Sequence, residues 1–236
     1  MKKYTFPLVL ACFCILIARP VPAQRAKKKD YLVTLSTDAG SLRFILFDQA
    51  PQHKANFIKL AKDKFYDGLL FHRIIEAFMI QGGDPNSRQA ASGVALGSGS
   101  PGYRVPAEFH PDLFHRKGAV AAARDNNPEK ASSGSQFYIV QGRKWTAEDL
   151  EKQVDRAPRK PTEAQKQVYL TEGGTPHLDG GYTVFGQVID GMSVIDSIAA
   201  RPRSQTDRPL RDVEMTVSVE RMKKKKITKQ YGYVFP

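Results

Sequence analysis

Cysteine is nearly absent from this 236-residue chain: Cys12 and Cys14 are the only two. Beyond them there is no disulfide framework and no thiol nucleophile. Tryptophan occurs once, as Trp145. The five histidines, His53, His72, His110, His115 and His177, lack the spacing of metal ligands. His110 and His115 flank Pro111 and do not share a helical face, so no metal or other cofactor is expected. No apolar run reaches the roughly 20 residues that span a bilayer. The glycines of Gly97 to Gly102 are not followed by Gly-Lys-Ser/Thr, which excludes a phosphate loop. No heptad seam or apolar surface stripe argues for an oligomer, so a monomer is expected.

Positive charge, by contrast, is abundant: 36 Lys and Arg against 24 Asp and Glu. Lys2 and Lys3 precede an apolar run from Phe6 to Ala18, and Val21-Pro22-Ala23 offers a small-residue cleavage site. That pattern reads as a secretory signal over residues 1–23 and predicts an exported protein, most simply a periplasmic one. Lipid anchoring through Cys12 and an extracellular location are the alternatives. Without residues 1–23 the net charge is +9, from 33 basic and 24 acidic residues. Much of the excess lies in a linker, 24–30, and in a C-terminal stretch, 221–236, both read as solubilising tails around a domain at 31–220. Export argues against nucleic acid as the partner. Weak contact of the basic runs with an anionic membrane surface is the reading that charge alone leaves.

The body of the chain alternates between short strands and turns. Leu32 to Thr37 and Leu42 to Phe47 alternate at period two around Asp38-Ala39-Gly40, a hairpin. Pro51 opens a helix with an apolar stripe through Ala55, Phe57, Ile58, Leu60 and Ala61. Further strands are predicted at Phe71 to Ile75, Met79 to Gly82, Gly118 to Ala122, Gln136 to Val140, Thr183 to Val188 and Val213 to Val219, with a second helix at Gly191 to Ala200. The pattern alone supports a mainly β fold with helices and suggests a closed antiparallel barrel. One polar stretch, 141–176, interrupts it. Thr146 caps one helix there, Pro158 and Pro161 break it, and Thr162 to Leu170 forms another that Gly173-Gly174 stops. A solvated excursion is the plain reading; a lid or docking element beside the functional groove is the sharper one.

The most informative segment is Phe71-His72-Arg73-Ile74-Ile75-Glu76-Ala77-Phe78-Met79-Ile80-Gln81-Gly82-Gly83-Asp84. One permanent cation and one amide lie among apolar side chains, with no nucleophile, base or ligand set. Such a group suits gripping an apolar moiety and polarising a neighbouring carbonyl. The segment resembles the FHRxIxxFMxQGGD signature of cyclophilin-type peptidyl-prolyl isomerases. Gly134-Ser135-Gln136-Phe137-Tyr138-Ile139, His177-Leu178-Asp179-Gly180 with Val184-Phe185-Gly186, and Asp207-Arg208-Pro209 resemble later motifs of the family, in order.

The resemblance implies a mainly β fold, a closed antiparallel barrel capped by two α-helices, here with a helical insertion. It implies an enzyme that isomerises Xaa-Pro bonds in proline-containing polypeptides. That reaction breaks amide resonance over a barrier near 18–20 kcal/mol and needs no covalent step. By resemblance, Arg73 is the catalytic residue, its permanent charge lying over the prolyl amide. Phe78, Met79, Tyr138 and Leu178 form the slot for the proline ring. Gln81 and Gln136 hydrogen-bond the substrate backbone, which also pairs with the main chain at Ala123 and Arg124. Three departures stand out. Arg124-Asp125 replaces Asn-Ala, His177 replaces the rim tryptophan of cyclosporin-sensitive members, and Tyr182 replaces a common histidine. Weak cyclosporin binding follows from His177. The departures and the insertion also leave a rival reading, a proline-segment binding module or chaperone with little turnover.

Overall fold

The computed structural model describes Met1 and residues 28–235; the predicted signal at 1–23 therefore lies almost wholly outside the described residues. Ten strands and five α-helices follow in order: β1 (Lys29–Thr37), β2 (Gly40–Leu46), α1 (Pro51–Lys62), β3 (Leu69–Ile75), β4 (Met79–Gly82), β5 (Arg104–Val105), β6 (Ala119–Ala122), β7 (Ser132–Ser133), β8 (Phe137–Val140), α2 (Ala147–Arg156), α3 (Glu163–Thr171), β9 (Val184–Asp190), α4 (Met192–Ala199), β10 (Glu214–Lys223) and α5 (Lys224–Tyr231). Eight strands close an antiparallel barrel in the ring order β1-β10-β3-β4-β8-β6-β9-β2, while β5 and β7 pair separately. Each strand predicted above is present. Barrel closure leaves the eight-stranded sheet without an outer edge strand.

Period-two alternation fills the barrel. Val33, Leu35, Phe44, Leu46, Ile80, Val120, Phe137, Ile139, Phe185 and Val217 pack into one buried cluster. The two predicted helices cap it, α1 through Phe57, Leu60 and Ala61, and α4 through Val194, Ile195 and Ile198. No α1 residue caps its own N-terminus. The Glu108 carboxylate does so from a distant loop, accepting the backbone N–H groups of Gln52 and His53 at 3.0 and 2.9 Å. Negative charge there complements the helix dipole.

Strand residues of the opposite parity point outwards and form two further apolar patches. One contains Met79, Ala119, Ala121, Ala123, Tyr138, Val140 and Val184. The other contains Leu32, Ile45, Met222 and Ile227, flanked by Ile189, Tyr231, Tyr233 and Phe235. The first centres on β4, β8, β6 and β9, the second on β1, β2 and β10, and Phe47 packs against both.

The second patch corrects one expectation. Residues 221–236, read as a solubilising tail, continue β10 to Lys223 and then form α5, which lays fully buried Ile227 over the outward side of β1 and β2. Lone apolar side chains among lysines look like a solvated tail. At helical spacing, Ile227 and Tyr231 are one face of an amphipathic turn.

The insertion also differs from a solvated excursion. Thr146 caps α2 as expected, and Thr162, outside the expectation, caps α3 in a reciprocal capping box with Gln165. Both helices bury a face: Leu150, Val154 and Tyr169 pack together with Phe114 and Trp145. Gly174, with φ +146°, sits so close to the barrel that a Cβ would lie 2.3 Å from the His115 carbonyl oxygen. Only glycine fits there, and it pins the returning chain to the barrel.

Candidate active site

The first outward patch holds the sequence-predicted residues. Phe71 and Ile74 both point into the barrel although they are three apart, which strict alternation forbids. A bulge between Phe71 and Arg73 absorbs the extra residue, and Arg73 emerges opposite Gln81 on β4. Next to it, β4 offers Met79 and Gln81, β8 offers Tyr138 and the end of β6 offers Ala123. Together with Phe78, Arg124, Leu178 and Tyr182 they line a cavity of about 140 Å³, the volume of roughly five waters. Nine of the eleven predicted positions thus share one small pocket.

The other two lie beside it. Gln136 lines a larger cleft of about 330 Å³, which shares Gln81, Ala123 and Arg124 with the pocket. Its Nε2 donates to the Gly97 and Gly99 carbonyls at 2.9 and 2.8 Å, and its Oε1 accepts from Gln81 Nε2 at 3.2 Å. Both amide donors are therefore engaged by the glycine loop, so here Gln136 holds that loop rather than offering a free donor. Asp84, fully buried at the end of the signature, grips the same loop by accepting the Gly97 and Gly99 N–H groups. His177 stands behind Phe78, their rings stacked with centroids 5.7 Å apart. Burial, and secondarily the nearby His115, hold its imidazole below the usual histidine range.

The electrostatics of the pocket come from two arginines. Arg73 keeps 41 % of its side chain exposed, and its Nε lies 3.4 Å from Asp207 Oδ2. Asp207 also accepts Arg203 Nη1 at 2.6 Å, and its backbone is left-handed at φ 65°. The carboxylate thus takes one edge of the Arg73 guanidinium. Arg124 lies over the Tyr182 ring at 4.7 Å, and its Nε donates to the Gly181 carbonyl at 2.8 Å. Tyr182 in turn meets Tyr138 edge to face at 5.9 Å. Sequence reasoning gave Arg124 a main-chain contact and a charge that alters preference around the proline; in the structure its side chain is a second cationic wall.

Behind the pocket runs a buried polar chain that sequence reasoning missed. Tyr138 Oη lies 2.9 Å from His115 Nε2, and His115 Nδ1 lies 2.8 Å from Asp179 Oδ1. Asp179 also accepts the His115 backbone N–H at 2.9 Å and Tyr169 Oη at 2.7 Å. As a carboxylate only accepts, Asp179 fixes Nδ1–H as the donor and leaves Nε2 to accept the Tyr138 hydroxyl. Tyr138 therefore turns its hydroxyl away from the cavity and presents its ring. Burial pushes its phenol well above the usual tyrosine range. Since Tyr169 belongs to α3, the insertion reaches the pocket wall from behind. No sequence spacing betrays this chain, because its bonded members lie 10 to 64 residues apart.

Among the described residues no cluster of three or more His, Cys, Asp or Glu is placed to hold a metal. What remains is a small, aromatic-walled slot with a permanent cation beside an amide. Residues 32–219 match the family described as cyclophilin type peptidyl-prolyl cis-trans isomerase/CLD. The chain belongs to that family. A peptidyl-prolyl cis-trans isomerase of Staphylococcus aureus is 38 % identical over 182 residues, covering 77 % of this cyclophilin and 87 % of the relative. A Streptococcus pyogenes protein named as a bifunctional phosphatase/peptidyl-prolyl cis-trans isomerase is 41 % identical over 187 residues. That match covers 77 % of this cyclophilin but spans only 37 % of the streptococcal chain. A crystal structure of a cyclophilin type isomerase from Cryptosporidium parvum superposes with a TM-score of 0.58 at 24 % identity, covering 81 % of this cyclophilin and 98 % of the other chain. That likeness establishes the barrel fold.

Proposed function

We propose that this cyclophilin accelerates cis/trans isomerisation of Xaa-Pro bonds in exported polypeptides, acting at the pocket of Arg73, and so assists their folding. The observation that carries the reading is the convergence of nine predicted positions from separate strands and loops on one cavity. Met79, Phe78, Leu178 and the Tyr138 ring supply apolar walls for the proline ring, and Gln81 and the main chain at Ala123 align the flanking backbone. The Arg73 guanidinium, oriented through its Nε by Asp207, is left to stabilise the amide as resonance is lost. Each tenfold acceleration needs about 1.4 kcal/mol of preferential binding to the twisted amide. A charge that never titrates, held in place before the substrate arrives, supplies this without reorganisation. Export rests on the N-terminal pattern of residues 1–23, and the periplasm is the compartment it fits best.

NMR exchange spectroscopy on a short Xaa-Pro peptide tests the assignment, comparing the wild type with Arg73→Ala. Fast exchange that falls by about 10²–10³ in the variant is expected, the scale of removing one preorganised transition-state donor. Peptide binding without acceleration by the wild type would instead favour the module with little turnover.

A further inference from the structure

The β1–β10 ladder brings together two basic runs that lie at opposite ends of the sequence. Lys29 stands directly opposite Lys223, and the Lys224 N–H donates to the Lys28 carbonyl. This end of the ladder projects past its neighbours. Pairing of β1 with β2 begins only at Leu32, and β3 meets β10 only at Glu214 and Met215. Lys225, Lys226 and Lys229 follow on α5, all exposed. Among the described residues, no ion pair engages Lys28, Lys29, Lys223, Lys225, Lys226 or Lys229. Asp30 is the acidic group drawn into the cluster, and it already holds Lys54 at 2.6 Å, with Lys224 at 4.0 Å.

Like charges directly opposite on two strands are unfavourable, and a two-stranded ribbon is only marginally stable by itself. The fold nonetheless concentrates its cations there, with aromatic side chains alongside: Lys224 lies over Phe235 at 4.7 Å, and Val234 is 76 % exposed. Cations beside aromatic and aliphatic side chains suit the boundary of a bilayer, where ammonium groups meet head groups and rings sit just below them. A purely polyanionic partner would have no use for Val234 and Phe235. The patch lies at the free end of the β1–β10 ladder, with β1 four places from β8 in the ring. Lys28, where the described chain enters the barrel, follows the apolar run ending at Ala18 by ten residues.

We infer that the Lys28–Lys29/Lys223–Lys226 patch is a docking surface for anionic lipid head groups. The inference is independent of the catalytic reading. Its test is co-sedimentation of the full chain with phosphatidylcholine vesicles with or without 30 mol % phosphatidylglycerol, at about 50 and 500 mM salt. The neutral vesicles set the baseline contributed by the apolar N-terminal segment. Binding above that baseline is expected on anionic vesicles at low salt, and it should vanish at high salt. Replacing Lys223, Lys225 and Lys226 with Gln should weaken it roughly a hundredfold, since each lysine near such a surface is worth about a factor of five. The charge-matched variant Lys144→Gln/Lys152→Gln/Lys160→Gln should bind like the wild type, which separates the patch from net charge. Equal binding to both vesicle types would overturn the inference, as would an unweakened patch variant. Retention on heparin without binding to anionic vesicles would overturn the lipid assignment. Circular dichroism melts of both variants confirm that they are folded.

Discussion

The two outward apolar patches of the barrel are built alike and treated oppositely. Each arises because alternate residues of adjacent strands turn away from the core, and each contains aliphatic side chains that water would solvate poorly. The patch over β1 and β2 is sealed by the chain itself, with Ile227 fully buried and Tyr231, Tyr233 and Phe235 laid around it. The patch over β4, β6 and β8 is left partly open and edged with Arg73, Gln81 and Arg124. An outward apolar face is therefore not in itself a site. What separates the two is the cover: one has a segment of its own to bury it, and the other has a cation and amides that need an occupant.

Breaking each patch in turn should separate stability from activity. The largest effect is expected from Arg73→Ala, already described. Arg73→Lys keeps the charge but loses the planar fork, and should retain the fold while cutting kcat/KM at least about tenfold. If lysine restored full turnover, point charge alone would suffice and the Asp207 contact would have no positioning role. Next, Ile227→Ala should cost about 2–4 kcal/mol, read as a lower urea midpoint with an unchanged slope, while kcat/KM stays near wild type. A large loss of activity at equal folded fraction would show that the two faces are coupled.

Acid should act through the core behind the pocket. His72 is buried, and burial holds its pKa down to about 4, only partly opposed by Asp84 and the Leu70 backbone. The unfolded chain takes up this proton near pH 6.5, so the stability that depends on a neutral His72 is complete above that pH. It is lost progressively as pH falls from about 6.5 towards 4, by up to about 3 kcal/mol. In His72→Gln the slope of stability against pH across that window should flatten. The smallest effect expected is that of Tyr169→Phe, which removes one of the hydrogen bonds to Asp179. It should cost about 1–2 kcal/mol of stability and raise KM for peptides more than it lowers kcat. An unchanged KM would confine α3 to a structural role.

How much of this was legible beforehand depended on distance along the chain. The strands followed from alternation in Leu32 to Thr37 and Leu42 to Phe47, where each residue's neighbours decide its face. Arg73, Phe78, Met79 and Gln81 were legible because they lie within one nine-residue window. Asp207 was quoted only as part of a closing motif, since nothing in sequence says that a left-handed turn will carry its carboxylate to Arg73. The chain from Tyr169 through Asp179 and His115 to Tyr138 was invisible for the same reason: its geometry exists only once the barrel has closed. The α5 cover could have been found, because Ile227 and Tyr231 are one helical turn apart. The surrounding lysines hid it.

The pairing of β1 with β10 has one more consequence, for timing. Lys29 and Lys223 are partners although 194 positions separate them, and the whole ladder joins the first strand to the last. While the chain is still being made, β1 has only β2 beside it, and its other edge waits for residues 216–223. Loop-closure entropy makes such a pairing late and slow. The pocket wall, too, depends on a ring that is incomplete until then. This isomerase therefore becomes competent only after β10 has been released.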